Sequence, residues 1–314
     1  MIQKLRRDEL QANLSSVCGL LQSAKKAEDR IGIYQYSKLR TRIEEELSSI
    51  TNHLAMASVA IFFGGDPVFG SHAISIDFAG NILERFQNLI SSKYALEELG
   101  SLGERGTLPM KDASNLMMTS LAKGSFGFVL DEIADQTEFV DTKLKTIVDE
   151  VSNVLEFTGS PNQSSFDTIV ESLDNRFLIS LQNFFSTLNK AHATFRLVED
   201  NVDFTLDHES ISRAYSRTKK IEIEESFEEF TGKLDGFLPE HKKFELNVGQ
   251  VLLYGSVSKE AVMQYKKSKT SNNNLIDKIC RVRIIKRTIL TLNGQKREVY
   301  KLIEFLDNEE FTSN

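Results

Sequence analysis

Tryptophan is absent from the sequence, cysteine occurs twice, proline four times and histidine five times. Two thiols cannot staple a disulfide framework, and Cys18 and Cys280 stand too far apart for a metal-ligand spacing. Reduced, buried thiols in a cytosolic protein are the expectation. No two of His53, His72, His192, His208 and His241 form an H-x-x-x-H or H-E-x-x-H pair, which removes the common helical zinc signature. So few prolines argue against long disordered stretches. Long apolar runs are missing as well: the longest, LAMASVAIFF at 54–63, has ten residues. Crossing a bilayer as a helix takes about 20. The opening MIQKLRRDEL is basic, but polar QANLSS follows where a secretory leader carries an apolar segment. A soluble, cytoplasmic chain without membrane contact is expected.

Phosphate-cradling and nucleophile motifs are lacking too. Residues 61–80 read IFFGGDPVFGSHAISIDFAG. Their glycines, Gly64, Gly65 and Gly70, do not fit G-x-G-x-x-G, and no Gly-Lys-Ser/Thr triplet closes a P-loop. A hairpin connection accounts for the stretch: two glycines allow positive φ, Asp66 can bond the backbone and Pro67 fixes the turn. In AKGSFGFVLDE (122–132), Ser125 lies between an expected helix and an expected strand, the inverse of a nucleophile elbow. The acidic clusters Asp131/Glu132/Asp135 and Glu222 to Glu229 lack the glycine and alternation of a calcium loop. No cofactor and no metal are expected.

What remains is ordinary globular material. The chain has 314 residues, 40% apolar and 26% charged, with 21 Phe to fill a core. That length predicts two domains, or one large one, able to bury a core without disulfides or metals. Net charge is −7, unevenly spread. From Lys242 to Lys301 there are 14 Lys and Arg against four acids, a local net of +10 that leaves −17 elsewhere. A basic block in an acidic chain points to a module with its own partner.

Apolar spacing predicts two helices at the start, through Leu10, Leu14, Val17 and Leu21, then Leu39, Ile43, Leu47 and Ile50. They form a hairpin over 1–50 that could also contact a second copy of the chain. A buried strand is predicted at 54–63 and another at 72–77, with Asp77 capping a helix to about Tyr94. Further predictions are a helix from Pro109 to Gly124 and a strand at 125–133. Helices follow at 138–156 and 163–189, the second split near Asp174. A hairpin of 193–198 with 202–206 precedes a helix at 209–219. This order is α+β. After Lys220 short glycine-punctuated strands predict a small barrel of the OB or SH3 kind, giving domains 1–220 and 221–314. Asn293-Gly294 is a type I′ turn signature. A hairpin on it pairs Val282 with Phe305, Ile284 with Ile303 and Thr288 with Val299. It also sets Lys286 against Lys301, a repulsion that a bulge near Ile285–Lys286 would relieve.

The basic module is the strongest functional hint. Lys266, Lys267 and Lys269 fall in a predicted polar loop (266–274), and Lys278, Arg281, Arg283, Lys286 and Arg287 follow on the adjoining strand. With Tyr265 and Tyr300 for stacking, they would engage nucleic acid or an acidic protein. The acidic part of the same or a neighbouring chain is another candidate partner. The expectation is a non-catalytic interaction protein. The alternative is a hydrolase or metal-dependent enzyme working through Asp66, His72 and Asp77.

Overall fold

The computed structural model describes residues 2–50, 55–99, 107–122, 126–133, 140–170, 173–200, 202–270, 274–290 and 296–306, with the side chains of 164, 165, 167, 168 and 222 excepted. Two compact units contain, respectively, Met1–Asn81, Asn115–Glu156 and Leu188–Ile211, and Ile82–Ser114, Phe157–Thr187 and Ser212–Asn314. The architecture is α+β with a closed five-stranded barrel at the C-terminal end.

The first unit opens on the helical hairpin, α1 (Gln3–Lys26) and α2 (Arg30–Ser49). Asp29 caps α2 by accepting from Ile31 N and Gly32 N at 3.1 and 3.0 Å. Leu10, Val17 and Ile43 form the seam, backed by Leu14, Tyr36, Leu47 and Ile50. Cys18 sits outside it and is exposed, against the expectation of burial; Cys280 is buried.

Next come β1 (Ser58–Gly65), the two-residue strands β2 (Val68–Phe69) and β3 (Ala73–Ile74), and α3 (Ile76–Leu99). The predicted strand at 72–77 therefore shrinks to two residues. Ser75, not Asp77, begins the helix, with Ala79 N donating to its carbonyl at 2.8 Å. After the 3-10 turn Asp112–Ser114 come β4 (Met117–Ala122), β5 (Phe126–Asp131), α4 (Lys143–Gly159), α5 (Gln163–Val170) and α6 (Asn175–Lys190). The hairpin β6 (Ala193–Val198) with β7 (Asp203–Leu206) then leads to α7 (His208–Lys219).

The sheet runs β4-β5-β1-β6-β7, all antiparallel. Central β1 is buried on both faces, which explains its unbroken apolar run. Phe63 gathers Phe78, Phe128 and Phe195 around it at 5.4 to 6.2 Å. The helix predicted over 109–124 is an error: apart from the short turn the segment becomes edge strand β4. Leu116, Met117 and Leu121 mimic helical spacing, but the open edge of β5 recruits their backbone. Gly124 and Ser125 lie outside the described residues, as does the Asn293-Gly294 turn.

In the second unit the barrel comprises β8 (Glu222–Leu238), β9 (Lys243–Val248), β10 (Val251–Val257), β11 (Ile279–Leu290) and β12 (Lys296–Leu306), with α8 (Lys259–Thr270) between β10 and β11. Around the barrel the order is β10-β12-β11-β8-β9, with β10 meeting β9 to complete the ring. Only β10 and β12 run parallel. Numbered within the barrel this is 1-2-3-5-4-1 with a helix after strand 3, the OB connectivity. Leu234, Phe244, Leu246, Leu253, Val282, Ile284 and Leu302 fill its interior.

The β11–β12 register begins as expected, Val282 opposite Phe305 and Arg283 opposite Glu304. A bulge between Arg283 and Ile284 then shifts it by one, so Ile284 faces Leu302 and Thr288 faces Glu298. Lys286 now faces Tyr300 instead of Lys301, and its ammonium reaches Glu298 at 3.0 Å.

Candidate binding surface of the barrel

The basic strand and the acidic strand are neighbours. Arg281 and Arg283 straddle Glu229 of β8 at 2.6 and 3.2 Å, and Arg283 also pairs with Glu304. Arg287, 5% exposed, holds Glu225 at 2.7 Å and donates to Leu173 O at 3.4 Å. The two arginines hold the Glu229 carboxyl below the usual carboxylate range through their hydrogen bonds. Four of the predicted contact residues thus face acids of their own barrel. The sequence contrast between 222–229 and 281–287 encodes strand pairing, with opposite charges set across from one another.

Lys266, Lys267 and Lys269 lie on a helix, not in a loop. Ser258 caps α8 by accepting from Ala261 N at 3.0 Å, and Ala261 and Tyr265, one turn apart, bury against the barrel. Tyr265 stacks on Phe237 at 4.2 Å and belongs to the core, so it cannot receive a base. Tyr300 is half-buried, its hydroxyl donating to Glu298 at 2.7 Å. Lys278 is exposed in the approach to β11.

Beside α8 lies a cleft of about 520 Å³, within the range of roughly 300–1,000 Å³ usual for ligand pockets. The end of α3 contributes Glu98 and Leu99, the β8–β9 connection Pro239 and Lys242, and α8 Lys259, Glu260, Val262, Met263 and Lys266. Its apolar part is open to solvent, with Leu99 54% and Met263 62% exposed. Three lysines rim it: Lys242 reaches Glu97 at 3.1 Å, Lys259 reaches Glu98 at 2.9 Å and Lys266 reaches Glu240 at 3.1 Å. Of the eight basic residues singled out from sequence, only Lys266 lines this cleft. The cap Ser258 followed by Ala261 and Tyr265 is the signal that could have revealed α8.

Asp66, His72 and Asp77 are all exposed, on the β1–β2 turn, the β2–β3 turn and the first turn of α3. None of them lines this cleft. Among the described residues no group of three His, Cys, Asp or Glu side chains could hold a metal ion. Nor is any described helix long and apolar enough to cross a membrane.

The environments of two ionisable groups, buried Glu199 and half-buried Lys301, escaped the sequence reading because their surroundings come from distant segments. Glu199, 1% exposed, receives the Ser152 hydroxyl and lies 3.9 Å from Lys145, whose ammonium holds Asp149 at 2.7 Å. Burial, reinforced by the Asp149 carboxyl, pushes Glu199 up to about 8. On β12, burial and then Arg287 push the Lys301 ammonium down to about 8, against the pull of Glu97 and Asp174. No known protein family, curated protein or solved structure matches the chain.

Proposed function

We propose that the chain is a non-catalytic interaction protein whose barrel module, residues 221–314, docks an acidic, apolar-bearing segment of a partner protein beside α8. One observation carries this reading: an open apolar floor of Leu99, Val262 and Met263 stands under a rim of Lys242, Lys259 and Lys266. Exposed apolar area accounts for affinity, and the rim selects carboxylates over a neutral partner. Of the acids that now hold those lysines, Glu240 is exposed, whereas Glu97 and Glu98 are half-buried. The exposed Lys266–Glu240 pair contributes about 0–1 kcal/mol, so an incoming carboxylate can replace it.

The test is fluorescence anisotropy of the full chain with a labelled peptide in which Asp and Glu alternate with Leu and Phe. Saturable binding is expected, weakening as salt rises. Lys259→Glu combined with Met263→Asp should reduce it by about tenfold or more, equivalent to roughly 1.4 kcal/mol. Undiminished binding by that variant would sink the reading.

A second reading has its own support. The OB connectivity combined with Tyr254, 72% exposed on β10 across from Glu245 and beside Lys243, resembles a platform for a single-stranded base. If a single-stranded oligonucleotide binds, and Tyr254→Ala abolishes that while the α8 variant does not, nucleic acid replaces the acidic partner.

A further inference from the structure

Two imidazoles meet in the first unit. The rings of His192 and His208 stand 6.3 Å apart, centre to centre, with their planes inclined at 59°. Both residues are exposed, and among the described residues neither ring takes part in a hydrogen bond or an ion pair. Strand register brings them together. In the hairpin of β6 and β7, Phe195 faces Leu206 and Arg196 faces Thr205. Carried on past the strands, that register sets Ala193 opposite His208, with His192 next in line. The pair therefore sits at the open end of the hairpin, one ring from each arm. The two lie far apart along the chain, so no local spacing announces them.

The backbone under both rings is fixed. His192 occupies a left-handed turn, φ 45°, and its N–H donates to Asn189 O at 3.2 Å. Its carbonyl accepts from Asp66 N at 3.3 Å. That contact uses the glycine end of β1, since a Cβ on Gly65 would stand 2.2 Å from His192 O. The glycines of the 61–80 stretch thus let β1 press against the turn that carries His192. His208 begins α7, where Asp207 accepts from Ser210 N through its side chain and from Ile211 N through its carbonyl, both at 2.9 Å. Asp207 and Glu209, both exposed, flank His208 and offset the positive end of the helix.

We propose that His192 and His208 together bind one divalent transition-metal ion such as Zn²⁺. Neutral imidazole is a preferred ligand of Zn²⁺, Cu²⁺ and Ni²⁺, whereas Mg²⁺ and Ca²⁺ take oxygen. Two rings bonded to one ion at about 2.0–2.1 Å hold their centres roughly 5–6 Å apart. Rotation of two exposed side chains covers the remaining difference without backbone movement. Two imidazoles make half of a tetrahedral shell and water completes it, so the ion stays open to a further ligand.

Isothermal titration of the full chain, first stripped with a chelator, tests the assignment with Zn²⁺ and Mg²⁺. One Zn²⁺ per chain at micromolar affinity and no response to Mg²⁺ are expected. His208→Ala should weaken zinc binding by about tenfold or more. His192→Asn, chosen because asparagine tolerates positive φ, should do the same. Cys18→Ser and His241→Ala alter an exposed thiol and a histidine of the second unit, and should leave binding unchanged. Equal melting temperatures for the metal-free histidine variants and wild type guard against misfolding. Cu²⁺ on the wild-type chain should show two equatorial nitrogens by electron paramagnetic resonance, and one in either histidine variant. Absence of saturable zinc binding below about 100 µM overturns the proposal. So does zinc affinity that is undiminished in either histidine variant, lost in Cys18→Ser, or matched by Mg²⁺.

Discussion

A buried carboxyl such as Glu199 makes the stability of the fold answer to pH. Its native-state value, about 8, stands above the 4.5 of an ordinary glutamate, so the native state holds the proton more tightly than the unfolded chain. The resulting stabilisation is complete below the unfolded value and is lost as pH climbs through the native one. Between about pH 5 and 8 the stability, and with it the melting temperature, should therefore fall. Glu199→Gln, which stays neutral, should flatten that slope in thermal denaturation followed at each pH. An unchanged slope would mean that Glu199 titrates normally. Lys145 does not reverse the sign, because hydrogen bonding to Asp149 keeps its ammonium above the ordinary lysine value despite burial.

Elements were legible in the sequence wherever local pattern and tertiary environment agreed. The leading helices, the buried strand β1, the split at Asp174 and the 193–206 hairpin follow from period and cap alone. The Lys286–Lys301 conflict even announced a bulge, which falls two residues earlier than expected, at Arg283/Ile284. Two elements were misread for opposite reasons. β4 has helical spacing and is captured by a sheet edge, whereas α8 has a polar surface whose two buried residues are easily overlooked. The apolar cleft depended on that second helix, so it could not be seen from residues 266–274 taken as a loop. Gly255 was legible only as punctuation. In the structure it lets β10 run against β12, since a Cβ there would stand 1.9 Å from Tyr300 O. Gly255→Ala should accordingly cost more than about 3 kcal/mol in chemical denaturation, the range of severe steric substitutions. A loss under about 1 kcal/mol would show that the pair can part without consequence.

At the scale of the whole molecule, the charge asymmetry was visible but its meaning was not. Composition gives a basic block beside an acidic run; only strand order reveals that the two lie on adjacent strands and cancel. Arg281 and Arg283 both pair with Glu229 across that strand boundary. The helical hairpin carries a separate expectation. Its seam is thin, and Ile31 and Tyr34 remain 72% and 70% exposed. Light scattering of the full chain should give a mass above one copy that falls to 35.5 kDa in an Ile31→Lys, Tyr34→Lys variant. A monomeric wild type would remove the helices as an assembly surface.

The parallel partnership of β10 with β12 also has a consequence for biosynthesis. Gly255 meets Tyr300, a residue translated long after it, and β12 stands between β10 and β11, the latter pairing with β8 on its other side. A nascent chain halted before Tyr300 has emerged from the ribosome holds β11, β8, β9 and β10 as an open sheet whose two rims, β11 and β10, are bare, a template for adhesion to other chains. The eleven residues of β12 therefore act as the latch on everything translated since Glu222, and truncations within them should yield insoluble product rather than a shorter working protein.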